Sequence, residues 1–250
     1  MQFSKSRLSF LLAVGALAGS AHAQLLIDDF TTGPYDFATS PYDPYYNGLT
    51  HSRYYFQSGS DILGSNRMVA AVSNPDFPTN DQFVGSIGAG MAVAQNTPGN
   101  DISWAYCYGF SQAPGGAGSF PWQFANLNAN LSAYDMIQLS FASSSGNLDL
   151  FVGINSPSSY FPTFEFSVPN SSTPFVYDVP LSEWAGIADL TDVNQLDFSF
   201  QTDSGGGADV TRIEALSPGP TPEPFTLGLG IAGIGLAIRR RGKVKTEAAK

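Results

Sequence analysis

Between Gln24 and Glu214 apolar residues recur at every second position in short runs, and Gly, Pro, Asn and Ser punctuate the gaps. A period of two sends successive side chains to opposite faces of an extended chain, so each run predicts a half-buried β-strand. The predicted strands are 25–30, 67–72, 82–87, 91–95, 102–108, 136–142, 148–154, 163–168, 175–179, 196–201 and 210–214. No window of helical length between them keeps a 3.6-residue apolar period. Many strands without crossover helices close their sheets antiparallel. The expected fold is therefore all-β, an antiparallel β-sandwich of the jelly-roll kind over residues 24–217.

The two ends break this pattern with continuous apolar runs. Lys5 and Arg7 precede an apolar stretch over 8–18, and Ala21-His22-Ala23 supplies the small-x-small pattern read by signal peptidase. Residues 1–23 are thus expected to be a signal peptide cleaved before Gln24. The residue at that point is Gln24 and not a cysteine, which argues against a lipid anchor. At the other end an apolar run over 225–238 stops at Arg239, Arg240 and Arg241. Charges of this kind halt a membrane segment, because a guanidinium at the bilayer centre costs several kcal/mol. The run is short: its 14 residues extend roughly 21 Å as a helix against a hydrocarbon core of roughly 30 Å. Snorkelling arginines and local thinning make up part of the difference.

Pro222-Glu223-Pro224, the glycine-rich apolar run and the arginine cluster together resemble the PEP-CTERM sorting signal of exopolysaccharide-producing Gram-negative bacteria. That resemblance implies recognition and cleavage by an exosortase, with residues 218–250 anchoring the chain to the membrane only transiently. The destination would be the cell surface or the extracellular matrix. An uncleaved anchor is the alternative. Gly228-Leu-Gly230-Ile-Ala-Gly233 also matches a dinucleotide-binding fingerprint, but it follows no strand and the chain ends too soon for the ribose-binding acid.

Charge separates the ends from the body. Of the 11 basic residues only Arg53, Arg67 and Arg212 fall within 24–222, whereas 19 of the 21 acids do, for a net charge of −16. Such a surface excludes nucleic acid as a partner, since that needs clustered Lys and Arg. Abundant aromatics and recurrent alternation argue against disorder. The one cysteine, Cys107, rules out an internal disulfide. In Ile102-Ser-Trp104-Ala-Tyr106-Cys-Tyr108 it falls on the small-residue face of a strand and reads as a buried packing thiol.

Leu26-Ile-Asp-Asp-Phe30, Asp61-Ile-Leu-Gly-Ser-Asn-Arg67, Val193-Asn-Gln-Leu-Asp-Phe198 and Asp209-Val-Thr-Arg-Ile-Glu214 resemble the jelly-roll modules of exported PEP-CTERM proteins. Those are similar in architecture to galactose-binding-like carbohydrate-binding modules. The resemblance implies that the first and last strands pair, and that Asp28, Asp29 and Asp209 are placed to hold a structural Ca²⁺. Asp189, Asp192 and Asp197 form a second acidic stretch, which reads as an exposed loop before a strand.

Glycan binding is the sharpest chemical expectation. Sugars stack C–H faces on aromatic rings while carboxylates and amides take the hydroxyls. The segment 35–47, with Tyr42, Tyr45 and Tyr46 beside Asp43 and Asn47, offers both; Trp122 is a second platform. The blander expectation, which the amphipathic character of Tyr favours, is that these rings pack a long loop onto the sandwich. Trp104 and Trp184 read as core. Catalysis on polysaccharide needs two facing carboxylates, and 19 acids identify no pair. One histidine, His51, remains in the body, too few for a Ser-His-Asp site or a His-rich metal site. Two readings follow: a non-enzymatic surface or matrix protein associated with extracellular polysaccharide, and an exported hydrolase or lyase. N-terminal sequencing of exported protein should begin at Gln24, and its peptides should stop short of Gly228; a retained Met1 would sink the export reading.

Overall fold

Alternation over 148–154 and 196–201 builds the centre of one sheet, and alternation over 136–142 and 210–214 the centre of another. The computed structural model describes residues 23–38, 51–73, 84–96, 102–113, 122–159, 161–202 and 205–217. Among these, β1 (Gln24–Asp28), β2 (Tyr35–Ala38), β5 (Val84–Gly88), β6 (Met91–Gln95), β10 (Met136–Ser145), β13 (Phe175–Pro180) and β15 (Gly207–Leu216) form a seven-stranded sheet. Its order is β13-β10-β15-β6-β5-β2, with β1 also paired to β15. The six-stranded sheet runs β12 (Thr163–Val168), β11 (Leu148–Asn155), β14 (Gln195–Thr202), β7 (Ile102–Tyr108), β4 (Asn66–Ser73), β3 (His51–Ser58). A small hairpin joins β8 (Phe110–Gln112) to β9 (Trp122–Phe124). Among the described residues every strand pairing within the two large sheets is antiparallel.

The expected all-β antiparallel architecture is therefore observed. Strands β6, β7 and β12 keep their predicted bounds, and the remaining predicted strands shift by a few residues at their ends. Strands β2, β3, β8 and β9 are additions. The first and last strands pair as expected, from Gln24↔Leu216 to Asp28↔Ile213, with a bulge after Leu26. At this edge the Ala23 N–H donates to Ser217 Oγ (2.9 Å) and the Ser217 N–H to the Ala23 carbonyl (3.0 Å). Contacts gather Ala23–Ser217 into one compact unit. Ala21, the sorting motif at 222–224, Arg239, Arg240 and Arg241, and Tyr42, Tyr45 and Tyr46 lie outside the described residues. Among the described residues no helix is long and apolar enough to cross a membrane.

The inner faces of the two sheets share one core. Leu150, Val152, Leu196, Phe198, Phe200, Trp104 and Tyr106 come from the six-stranded sheet, and Ile137, Leu139, Phe141, Val210 and Ile213 from the seven-stranded one. Trp104 stacks on Phe200 at 5.3 Å, and Phe141 meets Phe200 edge-on across the sheets at 6.4 Å. Trp184 is fully buried and its indole N–H donates to the Pro162 carbonyl at 3.0 Å. Both tryptophans are thus core, as their sequence context predicts.

One polar knot sits inside this apolar contact. Arg67 on β4 is fully buried and ion-paired with the equally buried Asp28 on β1. Its remaining donors go to Gln57 Oε1 (Nη2, 2.6 Å; Nε, 3.1 Å) and the Thr32 carbonyl (3.3 Å), and its Cζ lies 5.1 Å from the centroid of the Phe30 ring. Asp28 accepts further from Tyr108 Oη (2.8 Å) and the Phe30 N–H (2.8 Å). Burial pushes the Asp28 carboxyl above its usual value, against the pull of Arg67 and of these hydrogen bonds. Removing one partner strands a charge in the interior, so Asp28→Ala or Arg67→Ala should each cost about 3–5 kcal/mol in urea unfolding. An Asp28→Leu/Arg67→Met double variant should lose less than the sum of the two.

Candidate functional site

The outer face of the six-stranded sheet is not flat and solvated but hollow. Alternation that turns Trp104, Tyr106 and Tyr108 inward leaves Ser103, Ala105 and Cys107 outward on β7. Ala70 and Met68 on β4 and Ser199 on β14 adjoin them in register: Ala70↔Ala105, Met68↔Cys107, Ser199↔Ala105. Small side chains on central strands make a floor close to the backbone. Rising around it are Tyr54 on β3, Phe110 on β8, Phe124 on β9, and Ser159 and Phe161 on the β11–β12 loop. The result is a groove of about 450 Å³.

Each wall has a local cause. Gly109, at φ +84°, turns the chain out of β7, and a Cβ there would sit 2.1 Å from the Asn194 carbonyl oxygen, which only glycine avoids. The turn delivers the β8–β9 hairpin over the sheet, where Phe110 and Phe124 meet at 5.6 Å. Phe124 remains 60% exposed, a ring held out to solvent at the rim. On the opposite side Gly153 leaves β11 bare where the Phe161 ring lands; a Cβ at 153 would stand 2.4 Å from that ring. Phe161 itself has φ +35°, costly for a bulky side chain. The loop is pinned on either side of it: Pro162 accepts from the Ile154 N–H (3.3 Å) and Trp184, and Ser156 Oγ accepts from the Asp189 N–H (2.9 Å).

Asp197 on β14 is the single carboxylate among the described lining residues of the groove. It accepts from Ser199 Oγ at 2.6 Å on Oδ1 and from Cys107 Sγ at 3.6 Å on Oδ2. The recess raises its carboxyl to about 6, despite those two hydrogen bonds, because few waters remain to solvate the charge. Burial, and then the Asp197 charge, pushes the Cys107 thiol well above its ordinary value, so it stays protonated. The packing-thiol reading of Cys107 holds, and the thiol also lies against the floor of the groove. Asn155, the other polar group at this end, donates its amide to Gln195 Oε1.

The candidate calcium ligands separate. Asp28 and Asp29 gather with Asp61, their nearest oxygens within 4.8 Å of one another, while Asp209 instead accepts from Ser143 Oγ at 2.7 Å. All three gathered carboxylates already accept from protein donors: Asp28 from Arg67 and Tyr108, Asp29 from Thr31, Asp61 from Thr31 and Thr32. Burial works to raise Asp61, but the Thr32 and Thr31 donors outweigh it and hold the carboxyl at about 2. With Asp28 committed to a guanidinium, the trio suits turn capping better than a Ca²⁺ cage. Trp122 opens β9 opposite Gln112. Asp189 caps its own turn through the Thr191 N–H and hydroxyl. Asp197 departs from the exposed-loop reading, because Leu196 and Phe198 turn inward and leave it facing the groove.

No protein-family model and no curated protein matches the chain. Among solved structures it is similar to the family 11 carbohydrate-binding module of cellulosomal cellulase Lic26A-Cel5E of Clostridium thermocellum. The identity is 13% and the TM-score 0.39, over 80% of this chain and 97% of that one. A family 11 module from the same organism, in complex with a β-1,3-1,4-mixed-linked tetrasaccharide, matches at 13% identity and TM-score 0.38, over 79% and 98%. The enzymatically active domain of tailspike protein 4 of bacteriophage CBA120 matches at 12% and 0.30, over 78% of this chain and 19% of that one. Likeness of this degree transfers no ligand, and the chemistry has to be read from the groove's own residues.

The raised Asp197 carboxyl has a consequence for stability. Its desolvation cost is fully present above about pH 6 and vanishes below the ordinary value of 3.8, where folded and unfolded states are both protonated. Asp197→Asn should therefore melt higher than the native protein at pH 7.5, by on the order of 1 kcal/mol after solvent screening. The gap should close toward pH 4, as measured by thermal denaturation across a pH series.

Proposed function

We propose that this is an exported, non-enzymatic surface or matrix protein whose six-stranded sheet binds an extracellular glycan in its outer groove. The observation that carries the reading is the groove itself: a small-residue floor walled by Tyr54, Phe110, Phe124 and Phe161, with Asp197 and Asn155 at one end. Pyranose C–H faces stack on such rings, a low floor lets the sugar approach the sheet, and the polar groups take hydroxyls. Lining residues come from β11, β14, β7, β4 and β3, a width of roughly 19 Å at the usual strand spacing. That suits a stretch of chain rather than a single sugar. Phe161 supports the same reading, since a strained backbone at a rim is commonly retained for the contact it makes.

Several features favour binding over cleavage. The described lining residues offer one carboxylate, where glycoside hydrolysis uses two. Cys107 is kept as a thiol and therefore makes a poor nucleophile. Delivery rests on the ends of the sequence: signal peptidase would release the body at Gln24, and exosortase would act at Pro222-Glu223-Pro224 after transient insertion of the following apolar run. The tyrosines at 42, 45 and 46 and Trp122 remain proposed auxiliary platforms for the same glycan.

The test is retention of the protein on exopolysaccharide from the producing bacterium. Phe124→Ala combined with Phe161→Ala should weaken it roughly 10- to 30-fold, at about 1 kcal/mol per stacked ring. The exposed Phe124 alone should weaken binding while leaving the melting temperature unchanged. Unchanged retention in both variants would remove the groove from the binding event. Release of new reducing ends by the native protein would favour the polysaccharide-cleaving alternative.

A further inference from the structure

We propose that Asp197 sets the charge class of the ligand, so that the groove takes neutral glycan chains and refuses anionic ones. This rests on the glycan reading of the groove and adds a residue that selects among glycans. No Lys, Arg or His is among the described lining residues. The ionisable carboxylates turned outward on β11, β12 and β14 are Asp149, Glu165 and Asp197, alternating with the inward Leu150, Phe166 and Leu196. Arg67 on β4 faces the core and is paired with Asp28.

Geometry distinguishes Asp197 from the other two acids. It stands in the recess, flanked by Cys107 on β7, Ser199 on its own strand, Gly153 on β11 and the Phe161 ring of the β11–β12 loop. None of these can neutralise it, and Cys107 stays protonated. Each Asp197 oxygen accepts one protein hydrogen bond, and a carboxylate oxygen has capacity for a second, so both can take sugar hydroxyls. A sulfate or carboxylate on the sugar would instead meet a like charge where little water remains to screen it. Half-buried Asp149 and exposed Glu165 lie outside the groove lining, and salt at about 0.15 M damps charges beyond roughly 8 Å. Discrimination that survives such salt therefore belongs to Asp197.

The experiment is a glycan array carrying neutral chains beside sulfated forms of the same chains, probed with the full chain in 0.15 M NaCl at pH 7.5 and pH 5. At pH 7.5 the native protein should bind neutral chains at least roughly tenfold better than their sulfated partners. Asp197→Asn should shrink that ratio to within about threefold. The native protein supplies an independent readout that needs no variant to fold. Its Asp197 carboxyl titrates near 6, so the neutral signal should fall and the sulfated signal rise between pH 7.5 and pH 5, while sulfate keeps its charge. Equal binding of both forms at pH 7.5, or signals that move together with pH, would overturn the assignment. Absence of every glycan signal would instead overturn the glycan reading on which it depends.

Discussion

The Arg67–Asp28 ion pair is the constraint around which the two sheets are arranged. Arg67 belongs to a strand of one sheet and Asp28 to a strand of the other, and both are fully buried. A pair this deep gains little over an apolar substitute, but either charge alone would be intolerable there. Placing β4 against β1 therefore has a narrow set of solutions, and the accessory partners narrow it further. Gln57 aligns β3, Tyr108 aligns β7, and the Thr32 carbonyl fixes the segment leaving β1. With those strands fixed, the outward positions of β4 and β7 fall in line as groove floor and Tyr54 on β3 as its wall.

The groove is the other side of the same economy of space. A central strand that gives its large residues to the core has little volume left for its outer face. On β7 the inward Trp104, Tyr106 and Tyr108 are balanced by Ser103, Ala105 and Cys107. A flat sheet with so small an outer layer would expose backbone to water. Here a hairpin and a loop rise beside it, each depending on one glycine, Gly109 or Gly153, at a point where a Cβ would collide. Packing against the core and hollowing of the surface thus derive from one alternating sequence.

Much of the sandwich was legible because most strands have one face in the core and the other outward, which writes a clean period of two. Strand β3 was not, and its packing explains why. Tyr55 packs on the main core while Tyr54 and Phe56 pack on the outer cluster with Met68 and Phe110. With both faces covered, Tyr54-Tyr55-Phe56 shows no alternation to detect. Asp197 posed a different difficulty: its outward orientation follows from Leu196 and Phe198, but the enclosing walls come from segments far away in the chain. Phe110, Phe124 and Phe161 carry no local mark of a site. For Asp28 the aspartate pair was visible, but its match to Arg67, 39 residues on, depends on strand order.

The joined ends of the unit, Ala23 against Ser217, have a mechanical meaning. Because β1 lies antiparallel to β15 with Gln24 opposite Leu216, a force drawing Ala23 and Ser217 apart meets the hydrogen bonds of that ladder in succession. The loading is that of a zipper opened from its tab, in which each bond bears the strain alone. Strands pulled lengthwise past each other would share it. A unit closed this way resists poorly when strung in line between two attachments, and it is spared that load entirely when it hangs from one end.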